Sequence, residues 1–213
     1  MKQILFIDNN DTDVENTKRI LGGLRDGADN PLYGFLLDAA GKNLGTTGIL
    51  KPNQSRNIDN IRDAAVEIIH DKIDNFDILL IDGFLIGYKV EGYNPASLQI
   101  IKNIIDDLDP AFRNKIADKK IFLITGYGNR KRYITYSEIY ADDTYKRHFT
   151  LLFRPAIFKE KDGKMDDCCF QDENQNPNTK KCSLWDTKKY SGKNGAHKCT
   201  KEECMLDIFQ NSI

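Results

Sequence analysis

Residues 76–83 read FDILLIDG. Ile78–Ile81 is an unbroken apolar run closed by Asp82 and Gly83. It has no polar alternation, so it does not fit a strand with one wet face. It fits a strand covered on both faces, as in a parallel sheet. The pattern recurs along the chain. Ile4–Ile7 ends in Asp8, Ile121–Ile124 ends in Thr125, and Leu151–Phe153 ends in Arg154 and Pro155. Leu32–Leu37 is a weaker run, interrupted by Gly34.

Helical periods separate these runs. Val14, Ile20, Leu21 and Leu24 share one face after an acidic start. Ile58, Ile61, Ala65, Ile68 and Ile69 share another, with Asn57 as N-cap. Leu98, Ile101, Ile105 and Leu108 make a third face, opened by Pro95, and Tyr133, Tyr136 and Tyr140 make a fourth. Strands alternating with helices in this way predict a doubly wound α/β domain with right-handed crossovers. The Gly-, Asn- and Thr-rich stretch from Asp38 to Ser55 reads as a loop, long for such a fold.

Composition narrows the function classes. The chain has 213 residues, with 31 Lys+Arg against 32 Asp+Glu and a formal net charge of −1. That balance argues against a global electrostatic grip on nucleic acid or an acidic membrane. No apolar run approaches the ~20 residues needed to span a bilayer. The opening MKQILFIDNN does not read as a signal peptide, so the expected location is the cytoplasm. There the five Cys read as thiols or metal ligands rather than as a disulfide framework.

Ligands of parallel α/β sheets bind at the carboxyl ends of the strands. The residues to weigh are therefore Asp8, with Asn9, Asn10 and Asp11 behind it, then Asp82, Thr125 and Arg154. Two acids can hold a hard cation such as Mg²⁺. A hydroxyl can hydrogen-bond a phosphoryl oxygen, and a guanidinium can neutralise phosphate charge in a fork geometry. Together they predict a site for a phosphoryl group on a carboxylate, with Asp82 as nucleophile. Polar residues also end buried strands simply because the chain is emerging into water. The ordered set of four endings favours the functional reading.

In that order the motifs resemble the receiver domain of two-component response regulators. ILFIDNND matches the first-strand acidic pair at Asp8-Asn9, FDILLIDG the phosphoacceptor at Asp82, IFLITGYG the Thr-small pair at Thr125-Gly126, and LLFRPAIF the basic-Pro pair at Arg154-Pro155. The resemblance covers residues 2–158. It implies a five-stranded parallel sheet of flavodoxin-like order 2-1-3-4-5 with helices on both faces. It also implies a receiver-like domain over 1–158 with a long insertion at about 38–57. Asp82 would take a phosphoryl group from a histidine kinase, with Mg²⁺ held by Asp8 and Asp82. Thr125 and Arg154 would grip the phosphoryl group and switch a face that binds another signalling protein. A homodimer is compatible with this reading, and no separate enzymatic output is expected.

The chain departs from the family pattern at several positions. Asn9 stands where the family has a second acid, so Mg²⁺ binding is weaker unless Asp11 or a neighbouring carboxylate substitutes; Asn9 and Asp11 are the further candidate ligands. Arg154 replaces Lys, Leu151 replaces a common aromatic, and Ile86 stands where Pro is usual. The spacing from Asp8 to Asp82 exceeds the family's, mostly through Asp38–Ser55. The alternative is a degenerate pseudo-receiver, a protein-interaction module that works without phosphorylation. A haloacid-dehalogenase-like phosphatase would need Asp-x-Asp after its first strand, and the stretch here is Asp8-Asn9-Asn10.

Residues 159–213 form a Cys- and Lys-rich extension. Cys182, His197, Cys199 and Cys204 are candidate ligands for a tetrahedral Zn²⁺. The extension holds no Cys-x-x-Cys pair, and the adjacent Cys168 and Cys169 cannot easily both ligate, so disulfides and free thiols stay open. Lysines from Lys180 to Lys201 interleave with Trp185 and Tyr190, a pattern single-stranded nucleic acid can use. A solvated surface is the reading adopted. The chain ends in a helical period, Cys204, Met205, Ile208 and Phe209, behind a Thr200/Glu203 capping box, expected to pack on the sheet. His70 and His148 read as surface or capping residues rather than catalysts.

Overall fold

The structure is a computed structural model that describes residues 1–44, 58–83, 85, 96–125, 145, 148–153 and 201–213. The chain divides into two compact units. One is Met1–Ile124 with Arg147–Thr150, and the other is Thr125–Lys146 with Leu151–Ile213.

The first unit is built on parallel strands. β1 spans Lys2–Ile7, β2 Tyr33–Phe35, β3 Ile78–Asp82 and β4 Lys120–Thr125. They pair in the order β2-β1-β3-β4, every pair parallel. Ile4 pairs with both Phe35 and Ile78, Ile7 with Ile81, Leu80 with Phe122, and Asp82 with Ile124. Ile4–Ile7 and Ile78–Ile81 are completely buried, as continuous apolar runs covered on both faces require. The weaker run at 32–37 yields only a three-residue strand, half-buried throughout.

Helices occupy the crossovers. α1 (Asp11–Leu21) is capped by Asn10, whose side chain accepts the Thr12 amide at 3.1 Å. Asp11 and Asp13 in its first turn and Lys18 and Arg19 in its last complement the helix dipole. Val14, Thr17, Ile20 and Leu21 are its buried face. Leu24, expected on that face, lies past the end of the helix. The end is set at Gly22, where a Cβ would come within 2.5 Å of the Lys18 carbonyl. α2 (Ile58–Lys72) buries Ile61, Ala65 and Ile69, while Ile68 stays half-exposed.

α3 (Ala96–Ile105) and α4 (Pro110–Ala117) correct the sequence reading. α3 buries Leu98, Ile100, Ile101 and Ile104. Ile105 is only half-buried, and Leu108, expected on the same face, is 94% exposed. The helix stops at Ile105, and Asp109 with Pro110 starts a new one. The Asp109 carboxylate accepts the Ala111 amide at 2.9 Å, and Pro110 fits the first turn, where its missing N–H is no loss. Right-handed crossovers send α1 to one face of the sheet and α2 and α3 to the other. In agreement, α2 packs against α3.

In the second unit, Leu152 of β5 (Thr150–Phe153) is fully buried. α5 (Lys201–Ser212) buries Met205 and Phe209, one helical turn apart as the period predicts. The expected Tyr133–Tyr140 helix, the caps at Asn57 and Thr200, most of the 38–57 insertion and the boundary at 158 lie outside the described residues. No described helix is long and apolar enough to cross a membrane.

Candidate functional site

The strand order reverses direction between β1 and β3. From β1 the chain crosses outward to β2, then returns past β1 to β3. Such a switch point opens a crevice at the carboxyl ends of the two strands, because the loops leaving them diverge to opposite faces. β3 ends in Asp82, and Asp8 follows directly on β1. Ile7 pairs with Ile81, so the register carries Asp8 and Asp82 to equivalent positions on neighbouring strands, which lie about 4.8 Å apart.

Both carboxylates are buried, Asp8 at 1% exposure and Asp82 at 5%. Asp8 follows a fully buried strand, and its Oδ1 accepts the Asn10 amide at 2.8 Å. That bond turns the chain into α1. Asn10 then caps the helix, and its side-chain Nδ2 donates to the Asp13 carboxylate at 3.0 Å. One short stretch, Asp8-Asn9-Asn10, therefore ends a strand, starts a helix and leaves a carboxylate in the crevice.

The loop after Asp82 is held at two points. The Gly83 amide donates to the Ile124 carbonyl at 2.6 Å, which extends the β3–β4 ladder by one bond. The buried Ser97 hydroxyl donates to the Gly83 carbonyl at 3.2 Å, tying the loop to α3. Beyond it, the Asn9 side-chain amide donates to the Leu85 carbonyl at 3.1 Å. The sequence reading missed Ser97 and the Asn9–Leu85 bond. Ser97 left a usable signal, a polar residue on the same stripe as Ile101 and Ile104. The Asn9–Leu85 bond left none, since it joins residues 76 apart.

Thr125 ends β4 one residue beyond Ile124, the partner of Asp82, and its side chain lies outside the described residues. Asp11 sits exposed in the first turn of α1. Arg154, Cys182, His197 and Cys199 lie outside the described residues, as does the side chain of Cys204 in α5. His70 is neither a bare surface residue nor part of this crevice: its Nε2 stands 2.8 Å from the Asp107 carboxylate and its ring stacks on Phe112.

The donor set can be tested against a cation by its chemistry. Two carboxylates on adjacent strands repel, and a proton or a cation relieves that repulsion. Hard oxygen donors suit Mg²⁺, which one or two carboxylates plus waters commonly hold. Asp8 and Asp82 fit that pattern. Among the described residues no group of three or more His, Cys, Asp or Glu could hold a metal ion.

A cleft lies elsewhere in this unit. Its volume is about 550 Å³, and it is lined by Met1, Lys2, Asp26, Asn30, Pro31, Leu32 and Tyr33. Lys2 and Tyr33 begin β1 and β2, so the cleft sits at the amino ends of the strands, away from Asp8 and Asp82. Comparison with protein-family models, with curated proteins and with solved structures finds no match for this chain.

Proposed function

We propose that this chain is a receiver-like signalling protein in which Asp82 accepts a phosphoryl group. The observation that carries the reading is the pairing of two buried carboxylates, Asp8 and Asp82, at the β1/β3 switch point of a parallel sheet. In the proposed step a carboxylate oxygen of Asp82 attacks phosphorus in a phosphohistidine or a small acyl phosphate. The bond from phosphorus to the donor atom breaks, an acyl phosphate forms on Asp82, and the donor leaves with its electron pair. Mg²⁺ held by Asp8 and Asp82 would offset charge on the transferred group. Thr125 and Arg154 are the proposed contacts for the phosphoryl oxygens. In this reading β5 lies outside β4 and completes a flavodoxin-like order 2-1-3-4-5. The partners are a histidine kinase and a second signalling protein that reads the switched face. Zn²⁺ in the extension, through Cys182, His197, Cys199 and Cys204, is a separate proposal that metal analysis of the purified protein tests.

One observation favours the phosphorylation-independent module instead. Asn9 brings a neutral amide where a third carboxylate would strengthen cation binding, and that amide is engaged with Leu85. A single experiment separates the two. The folded chain is incubated with acetyl phosphate and Mg²⁺ and its intact mass is measured. A mass increase of one phosphoryl group, absent in Asp82→Asn and after chelation, is the expected result. An unmodified mass, with native circular dichroism, overturns the phosphoacceptor reading in favour of the module.

A further inference from the structure

The two loops that flank the crevice leave the sheet in different directions. One runs from Asp8 into α1, and the other runs from Asp82 toward α3. A cation bridging the two acids would draw these loops together. A neutral cross-link already spans the gap. The Asn9 amide donates to the Leu85 carbonyl at 3.1 Å, and Leu85 itself is buried. On the near side of the same loop, Gly83 is fixed to β4 through Ile124 and to α3 through Ser97. Gly83 and Leu85 are therefore tied to β4, to α3 and to the turn that leads into α1.

We infer that Asn9 is a positioning residue whose side-chain amide closes the crevice around Asp8 and Asp82 in advance, so that closure does not depend on a divalent cation. Aspartate cannot do this, since an ionised carboxylate has no proton to donate to a carbonyl. Asn9→Asp exchanges the cross-link for a charge: the loop loosens, the crevice gains a hard anionic ligand, and closure comes to depend on the ion. The residue type at this one position thus decides whether the crevice is set by the protein or by the metal. The cation half of the inference rests on the proposed Mg²⁺ site, whereas the cross-link rests on geometry alone.

The test uses the full chain and two variants, Asn9→Ala and Asn9→Asp, with Mg²⁺ alone as the probe. Asn9 is exposed, so both variants keep the buried core intact, which thermal unfolding checks. Hydrogen exchange is read on the peptide covering Gly83 to Leu85, and Mg²⁺ affinity is measured by calorimetry. Without Mg²⁺, exchange in this peptide rises about ten-fold in both variants, the effect of losing one net hydrogen bond. Added Mg²⁺ restores slow exchange in Asn9→Asp and leaves the original chain unchanged. Asn9→Asp also binds Mg²⁺ about ten-fold more tightly than the original chain, whereas Asn9→Ala does not. Unchanged exchange in Asn9→Ala overturns the inference. So does slowing of the original chain by Mg²⁺ to the same degree as Asn9→Asp. Neither readout needs phosphorylation. A chain that takes no phosphate but loosens in Asn9→Ala sinks only the phosphoacceptor reading, and the reverse pattern sinks only this one.

Discussion

The imidazole of His70 lies face to face with the ring of Phe112, their centroids 3.6 Å apart and their planes 7° from parallel. The same imidazole meets the Asp107 carboxylate at 2.8 Å. One side chain of α2 thereby grips α4 and the turn that precedes it. Phe112 is buried while the His70 side chain is 37% exposed, so the contact sits at the edge of the core.

That grip predicts a measurable coupling. His70→Ala and Phe112→Leu should each destabilise the fold, and the double variant should lose less than the sum. The expected coupling is about 0.5–1.5 kcal/mol, the range for ring pairs beyond their area burial. Urea unfolding of the four proteins measures it, and additive losses would mean the stack contributes nothing.

The end of α3 makes a second prediction. Leu80 is fully buried at the centre of the sheet, whereas Leu108 is 94% exposed. Leu80→Ala should cost about 2–5 kcal/mol, the range for buried aliphatic truncations. Leu108→Ser should stay within about 0.5 kcal/mol of the original. Denaturant midpoints compared at equal m-value check both, and a loss of several kcal/mol at Leu108 would restore it to the core.

Acid stability should depend on Asp26. Its carboxylate accepts the backbone amides of Ala28 at 2.8 Å and Asn30 at 2.9 Å. Hydrogen bonds from Asn30, backbone then side chain, and then from Ala28 favour the charged form and hold its pKa below the ordinary 3.8. A depressed folded pKa means the contribution is complete above 3.8 and is lost as pH falls through the lower folded value. The stability gap between the original chain and Asp26→Ala should be constant near neutrality and shrink below that point. Unfolding midpoints measured through the acid range read it out, and a gap indifferent to acid would refute it.

Alkaline stability should depend on Tyr33. Partial burial of its ring disfavours the phenolate and raises the pKa above 10.0. A raised folded pKa means the contribution is intact below 10.0 and is lost as pH climbs through the higher folded value. Tyr33→Phe cannot ionise, so it should resist that alkaline loss relative to the original chain. Thermal unfolding on both sides of this range compares them, and identical alkaline profiles would remove the assignment.

Much of the sheet is legible in the chain because burial on both faces leaves an unmistakable mark. Ile4–Ile7 and Ile78–Ile81 are each wholly apolar and wholly buried. Helix ends are harder to read. The apolar period from Ile101 and Ile105 runs on to Leu108, although the backbone has already turned at Asp106. Local capping at Asp109 and Pro110 outweighs the period there, and those two residues were the available signal for α4. Asp8 and Asp82 can be found in the sequence because each follows its run directly. The bond from Asn9 to Leu85 cannot, because it depends on which loops the crossovers bring together, whereas Ser97 shows itself only as a polar residue on an apolar stripe.

At the far side of the order from β4, β2 is only Tyr33–Phe35, and directly after it Leu37 bridges back to Asn43 in antiparallel fashion. A strand this short offers a neighbouring molecule few exposed amides and carbonyls on which to extend a ladder. Concentrated solutions should therefore meet little templated growth from this margin, even though its residues are apolar.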